Sequence, residues 1–222
     1  MPKEPGPLRI LIADDHDVVR HGLRSLLETR EGWQVCAEAV NGRDAVDLAI
    51  QLMPDVAILD VSMPSLNGLD ATKLIRKASP RTEILIFTMH ESEQLIREVL
   101  AAGAKGYLLK SDAARSVIAA VEALAAHRPY FNRKVSETIL DGFLRAATVP
   151  TAEGSSGEPL TPREREIVQL LAEGLSNKEV ATRLDISIKT VETHRATVMR
   201  KLDAHSVVDL VRYALRNKLT SI

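Results

Sequence analysis

At 222 residues, with 45% hydrophobic and 27% charged side chains, the chain has the composition of an ordinary globular protein and is long enough for two small domains. No run of roughly 18 apolar residues is present, so no membrane span is expected, and the short proline-rich start (1–7) lacks the apolar core of a signal peptide. The net charge of −1 hides an asymmetry: 14 Lys+Arg against 18 Asp+Glu over residues 1–126, 4 against 4 over 127–158, and 11 against 8 over 159–222. An acidic front and a mildly basic back suggest two jobs. A lone cysteine, Cys36, excludes an internal disulfide and fits a reducing, cytoplasmic setting. Its apolar surroundings mark it as a buried small hydrophobe.

Along the first 126 residues, short β-branched runs alternate with amphipathic stretches. The runs are 8–13 (LRILIA), 34–39 (QVCAEA), 56–60 (VAILD), 83–88 (EILIFT) and 106–110 (GYLLK). Their starts are 22 to 27 residues apart, room for one strand, one helix and two short loops per unit. Between them Val18, Val19, Gly22, Leu23, Leu26 and Leu27 have helical spacing, and so do the segments around Leu48, Leu74, Ile96 and Val121. Nearly unbroken apolar strands imply a parallel sheet covered on both faces, an α/β doubly wound (βα)5 domain. A further amphipathic stretch follows over 127–145, with Val135, Ile139 and Phe143. Residues 146–159 (AATVPTAEGSSGEP) read as a flexible linker. The expected boundaries are therefore 1–126, 127–159 and 160–222.

The last segment reads as four helices. Thr161-Pro162-Arg163-Glu164 and Ser176-Asn177-Lys178-Glu179 are capping boxes, and Gly174 stops the first helix. Ser187 caps a third helix through Val191, Val198 and Leu202, and 205–219 forms a fourth. The second and third helices, joined by Asp185-Ile186-Ser187, form a helix-turn-helix.

Chemistry concentrates at the strand ends. Asp14-Asp15 follow the first strand, Asp60 ends the third, Thr88 the fourth and Lys110 the fifth. In a doubly wound parallel sheet these ends share one edge, beside the point where strand order reverses. Clustered carboxylates repel one another and call for a hard divalent cation, which Mg²⁺ suits. With Lys110 and the Thr88 hydroxyl added, the site can hold a phosphoryl group, and one carboxylate can act as nucleophile.

These residues stand in motifs that resemble the receiver domain of two-component response regulators, a flavodoxin-like fold: LIADDHDVVRHGL, DVAILDVSMPSLNGLD, ILIFTMH and AKGYLLKSD. The resemblance spans 8–126 and implies that Asp60 accepts a phosphoryl group from a sensor histidine kinase. It further implies Asp14 and Asp15 as metal-binding acids, Ser62 as donor of a backbone carbonyl to the metal, and Thr88 with Lys110 as phosphate sensors. Tyr107 takes the switch-aromatic position; read without the resemblance, it is a half-buried tyrosine of an edge strand. Met89 is bulkier than the small residue common there, and His90 reads as a solvent-facing loop residue.

In the third C-terminal helix Val191, His194, Val198 and Leu202 share a packing face. Lys189, Thr190, Glu192, Thr193, Arg195, Ala196 and Arg200 lie opposite, and the cations Lys189, Arg195, Arg200 and Lys201 suit a major groove. Lys178 is placed to hold a phosphate. The stretch LTPREREIVQLLAEGLSNKEVATRLDISIKTVETHRATVMRKL resembles the LuxR-type DNA-binding domain, and with a receiver it points to the NarL/FixJ class. That resemblance implies base contacts from Glu192, Thr193 and Ala196, and phosphate contacts from Lys178, Lys189, Thr190 and Arg195. It also implies dimerisation through the last helix on an inverted-repeat operator. Two other classes compete. A phosphoryl-transferring enzyme would carry Asp-x-Asp where this chain has Asp60-Val61-Ser62. A phosphorylation-independent regulator working through protein partners would not need the complete acidic site.

Overall fold

The structure, a computed structural model, describes residues 6–90, 92–131, 135, 160–204, 206–217 and 219–220. They belong to two compact units. The first alternates strands and helices: β1 (Leu8–Ala13), α1 (Asp17–Leu27), β2 (Trp33–Ala39), α2 (Gly42–Leu52), β3 (Val56–Leu59), α3 (Gly68–Ala78), β4 (Glu83–Thr88), α4 (Glu93–Ala102), β5 (Gly106–Leu109) and α5 (Ala113–Ala125). The sheet is parallel throughout, in the order β2-β1-β3-β4-β5. The chain leaves β1 toward one edge and returns on its other side, so strand order reverses between β1 and β3.

Every residue of β3 and β4 is buried, which explains why these strands read as continuous apolar runs rather than as alternation. The expected ends hold to within a residue or two. β3 closes at Leu59, so Asp60 stands on the following loop, and Lys110 opens a short 3-10 turn (Lys110–Asp112) after β5. A register shift between Ile10 and Leu11 leaves Cys36 opposite no β1 residue. Cys36 is half-buried rather than buried, with Sγ donating to the Ile10 carbonyl at 3.4 Å. Val18 departs from its expected place too: it is 85% exposed, one step off the Leu23 and Leu27 face of α1.

After α5 the chain turns at His127 (φ 56) and runs back along the outer edge of β5. There Tyr130 forms a parallel bridge with Gly106: its amide donates to the Lys105 carbonyl at 2.9 Å and its carbonyl accepts from the Tyr107 amide at 3.1 Å. From residue 132 the helix expected over 127–145 falls outside the described residues, apart from Val135, and so does the whole linker expected over 146–159.

The second unit is all-α: α6 (Pro162–Ala172), α7 (Asn177–Arg183), α8 (Ile188–Lys201) and α9 (Val207–Arg216). The capping boxes at Thr161 and Ser176 form as expected, and the Ser187 hydroxyl accepts from the Thr190 amide. Gly174 (φ 91) ends the turn after α6. The fourth helix is shorter than expected: Ser206 and Asp209 make a third capping box that fixes its start, and Asn217 is its C-cap. Ile167, Leu170, Val180, Val191, Val198, Leu210 and Ala214 form the core.

Candidate functional site

The reversal of strand order between β1 and β3 opens a crevice at the carboxyl edge of the sheet. Its floor is acidic: Asp14, directly after β1, is 1% exposed, and Asp60, directly after β3, is 4% exposed. Lys110 reaches both from the end of β5, its Nζ 2.7 Å from Asp14 Oδ2 and 2.9 Å from Asp60 Oδ2. The other Asp60 oxygen accepts from the Val61 amide at 2.7 Å. Asp15 and His16 form the rim, with His16 Nδ1 2.7 Å from Asp15 Oδ1 and 3.2 Å from Asp14 Oδ1.

Charge is not balanced here by protein alone. Burial raises the Asp60 carboxyl to about 6, and the Asp14 charge adds to the rise while Lys110 opposes it. Burial by itself would lower Lys110, but its bonds to Asp14 and Asp60 win and hold its pKa above the ordinary value. Asp14, Asp15, His16 and Asp60 each offer one atom within a 4.8 Å cluster. An oxygen-rich set with three carboxylates and one ammonium fits a hard divalent cation. Ser62 lies two residues past Asp60 on the same loop.

Thr88 and Tyr107 are both fully buried. The Thr88 hydroxyl accepts from the His90 amide at 3.2 Å, and the Tyr107 hydroxyl donates to the His90 carbonyl at 2.5 Å. Both residues thus hold the loop between β4 and α4. Tyr107 is more deeply buried than the half-buried edge-strand tyrosine expected, with its hydroxyl held by the His90 carbonyl. Met89, the residue after Thr88, is 70% exposed, and His90 is exposed as expected.

Three contributors escaped sequence reasoning. His16 is one; its only signal was its position after the acidic pair. Gly68 is another: a Cβ there would sit 1.9 Å from the Asp60 carbonyl oxygen, so only glycine lets α3 start beneath Asp60. Arg20 is the third, a buried arginine whose Nη1 donates to the Asp14 carbonyl at 2.8 Å.

In the helical unit, α8 exposes Lys189, Glu192, Thr193, Ala196 and Arg200, while Thr190 and Arg195 are half-buried. Arg195 donates to Asn177 Oδ1 at 3.4 Å, which ties α8 to the start of α7. Lys178 and Arg195 line one groove of about 510 Å³ with Ser176 and Asn177. Lys201 does not join the exposed cations: its side chain is only 7% exposed and lies 2.9 Å from the buried Glu164 of α6. Helical spacing alone could not separate a groove-facing lysine from one that turns back to a core glutamate. His194 is half-buried on the packing side.

Residues 10–122 match the response regulator receiver domain family, and residues 158–214 match the bacterial regulatory proteins of the luxR family. Over 215 residues the chain is 40% identical to the oxygen regulatory protein NreC of Staphylococcus epidermidis, covering 96% of this chain and 99% of that one. It is 35% identical over 214 residues to the transcriptional regulatory protein MctR of Rhizobium johnstonii, 96% of each chain. Among solved structures, RcsB of Salmonella typhimurium superposes with a TM-score of 0.62 at 27% identity, over 96% of this chain and 98% of that one. RcsB bound to promoter rprA in the presence of phosphomimetic BeF3⁻ gives 0.59 at 26% identity, over 98% and 100%. The chain belongs to the response regulators and is a transcription regulator of the NarL/FixJ class, a receiver domain joined to a LuxR-type helix-turn-helix domain.

Proposed function

We propose that a sensor histidine kinase phosphorylates Asp60, and that this controls dimerisation and sequence-specific DNA binding. The observation that carries the reading is Asp60 itself, buried between Lys110 and a second carboxylate in an under-neutralised pocket. Asp14, Asp15, Asp60 and the Ser62 carbonyl would hold Mg²⁺, which when bound neutralises the oxygens of an incoming phosphoryl group. Asp60, ionised above a pH of about 6, is the nucleophile. Its oxygen bonds to phosphorus as the bond to the donor breaks, and the electron pair leaves with the donor nitrogen. Lys110 then pairs with the phosphoryl oxygens. The Thr88 hydroxyl turns to them from the His90 amide, and Tyr107 follows the loop it holds.

The domains fall at 1–126 for the receiver, 127–159 for the connection and 160–222 for the DNA-binding part. α8 enters the major groove, with Glu192, Thr193 and Ala196 toward base edges. Lys178, Lys189, Thr190, Arg195 and Arg200 contact phosphates, the convergence of Lys178 and Arg195 on one groove being the local support. A two-fold dimer matches an inverted-repeat site on double-stranded DNA. Receiver chemistry is limited to its own phosphotransfer and slow dephosphorylation, in the cytoplasm. Among the described residues no helix is long and apolar enough to cross a membrane.

The test is Mg²⁺-dependent phosphorylation by acetyl phosphate, comparing wild type with Asp60→Ala, followed by gel-shift titration with and without beryllofluoride. Phosphate incorporation only in wild type, with tighter DNA binding under beryllofluoride, is expected. Equal DNA affinity in both states would leave a phosphorylation-independent regulator working through protein partners.

A further inference from the structure

Arg20 is buried in α1 beside the acidic pair, yet among the described residues its ion pairs are with Asp17 and Glu38 and not with either carboxylate of that pair. Nη1 donates to the Asp14 carbonyl at 2.8 Å. Nη2 pairs with Asp17 at the start of the same helix, and Nε lies 3.4 Å from Oε2 of Glu38 on β2. Burying a guanidinium costs hydration and is kept only where partners compensate.

The bonded carbonyl belongs to the peptide that joins Asp14 to Asp15. That unit is planar, so anchoring its oxygen fixes ψ of Asp14 and φ of Asp15 together. From the other side the Asp14 amide donates to the Ala39 carbonyl at 3.2 Å. The backbone is thus pinned on either side of the Asp14 Cα, by a strand bond from β2 at its amide and by a charge-assisted bond from α1 at the carbonyl that leads to Asp15. A small hard cation tolerates little error in the direction of its ligands.

We propose that Arg20 is a positioning residue for the cation site: it sets the relative aim of Asp14 and Asp15 without contacting metal or phosphoryl group. This rests on the reading of the acidic crevice as the Mg²⁺ and phosphoryl site. Loss of an outer residue that orients ligands typically weakens metal affinity by about 10- to 100-fold.

The experiment titrates full-length protein with Mn²⁺ by the free-ion EPR signal and with Mg²⁺ by competition. It compares wild type, Arg20→Met, Arg20→Lys and the outer control Glu38→Gln, with thermal midpoints measured without metal. Arg20→Met is expected to weaken both ions about 10-fold or more. Arg20→Lys, which still offers a charged donor to the carbonyl, is expected to fall between Met and wild type. Glu38→Gln should stay near wild type. Should Arg20→Met fail to fold, Arg20→Lys against wild type decides, a loss of more than twofold being expected. A lowered midpoint with metal affinities within twofold of wild type would reduce Arg20 to a structural arginine and overturn the proposal. Wild type that binds neither ion and takes no phosphate from acetyl phosphate would overturn it together with the functional reading. Wild-type binding matched by both Arg20 variants overturns it alone.

Discussion

Asp60→Asn removes a carboxyl that burial and the neighbouring Asp14 hold at about 6, against an ordinary 3.8. A raised pKa means the folded state prefers the protonated form. The stability associated with that form is fully present below 3.8 and is lost as pH rises through 6. The difference of roughly 2 units, at about 1.36 kcal/mol each, comes to about 3 kcal/mol once both states are ionised. Asn has the shape of the protonated acid and never ionises, so it avoids that loss. Metal-free Asp60→Asn should therefore be more stable than wild type by about 3 kcal/mol at pH 7.5, and by about half as much at pH 5. Urea denaturation in EDTA reads this directly, because the single tryptophan, Trp33, packs against the receiver core. Added Mg²⁺ should raise wild type toward the variant, since it binds only the folded, ionised site. A variant no more stable than wild type at pH 7.5, or a gap that narrows as pH rises, would refute the argument that the pocket is under-neutralised.

Gly68→Ala should cost about 3 kcal/mol in urea and abolish phosphorylation, because its methyl group meets the Asp60 carbonyl. Lys201→Met should destabilise the helical unit by about 3 kcal/mol in thermal melts, since it leaves Glu164 buried and unpaired by that lysine. Arg200→Ala should leave the melting of that unit unchanged while lowering the salt slope of DNA binding by about 1. Ser206→Ala removes the hydroxyl that accepts from the Asp209 amide, and circular dichroism melts should show a loss of about 1 kcal/mol.

Most of the fold was legible because β1, β3, β4 and β5 carry nearly unbroken apolar runs and the first three helices of the second unit an explicit cap. Thr88 was placed at the end of β4 by sequence alone, and there it is. What the sequence hid depends on closeness in space rather than on pattern. Val18 fits a helical apolar repeat, yet the turn of α1 leaves it in solvent. Lys201 resembles its exposed neighbours until Glu164, 37 residues earlier in the chain, is brought beneath it. Gly68 is one of eleven glycines, and only the approach of the Asp60 backbone separates it from the rest. The acidic crevice was readable because topology alone brings strand ends together. Arg20 was not, because its partner is a backbone carbonyl, which no residue type advertises.

The bridge between Tyr130 and β5 has a consequence for how the first unit meets its surroundings. An open parallel edge would offer its amides and carbonyls to any passing strand, a route to aggregation. Here the chain's own continuation occupies the Lys105 carbonyl and the Tyr107 amide. The exit path is therefore set by the sheet and not by where α5 happens to end. Tyr107 carries both connections: its hydroxyl holds the loop after β4, and its amide holds the departing chain. A slip of β5 by one residue, about 3.3 Å, would drag that chain with it. Edge protection and the placing of Tyr130 come from the same pair of hydrogen bonds.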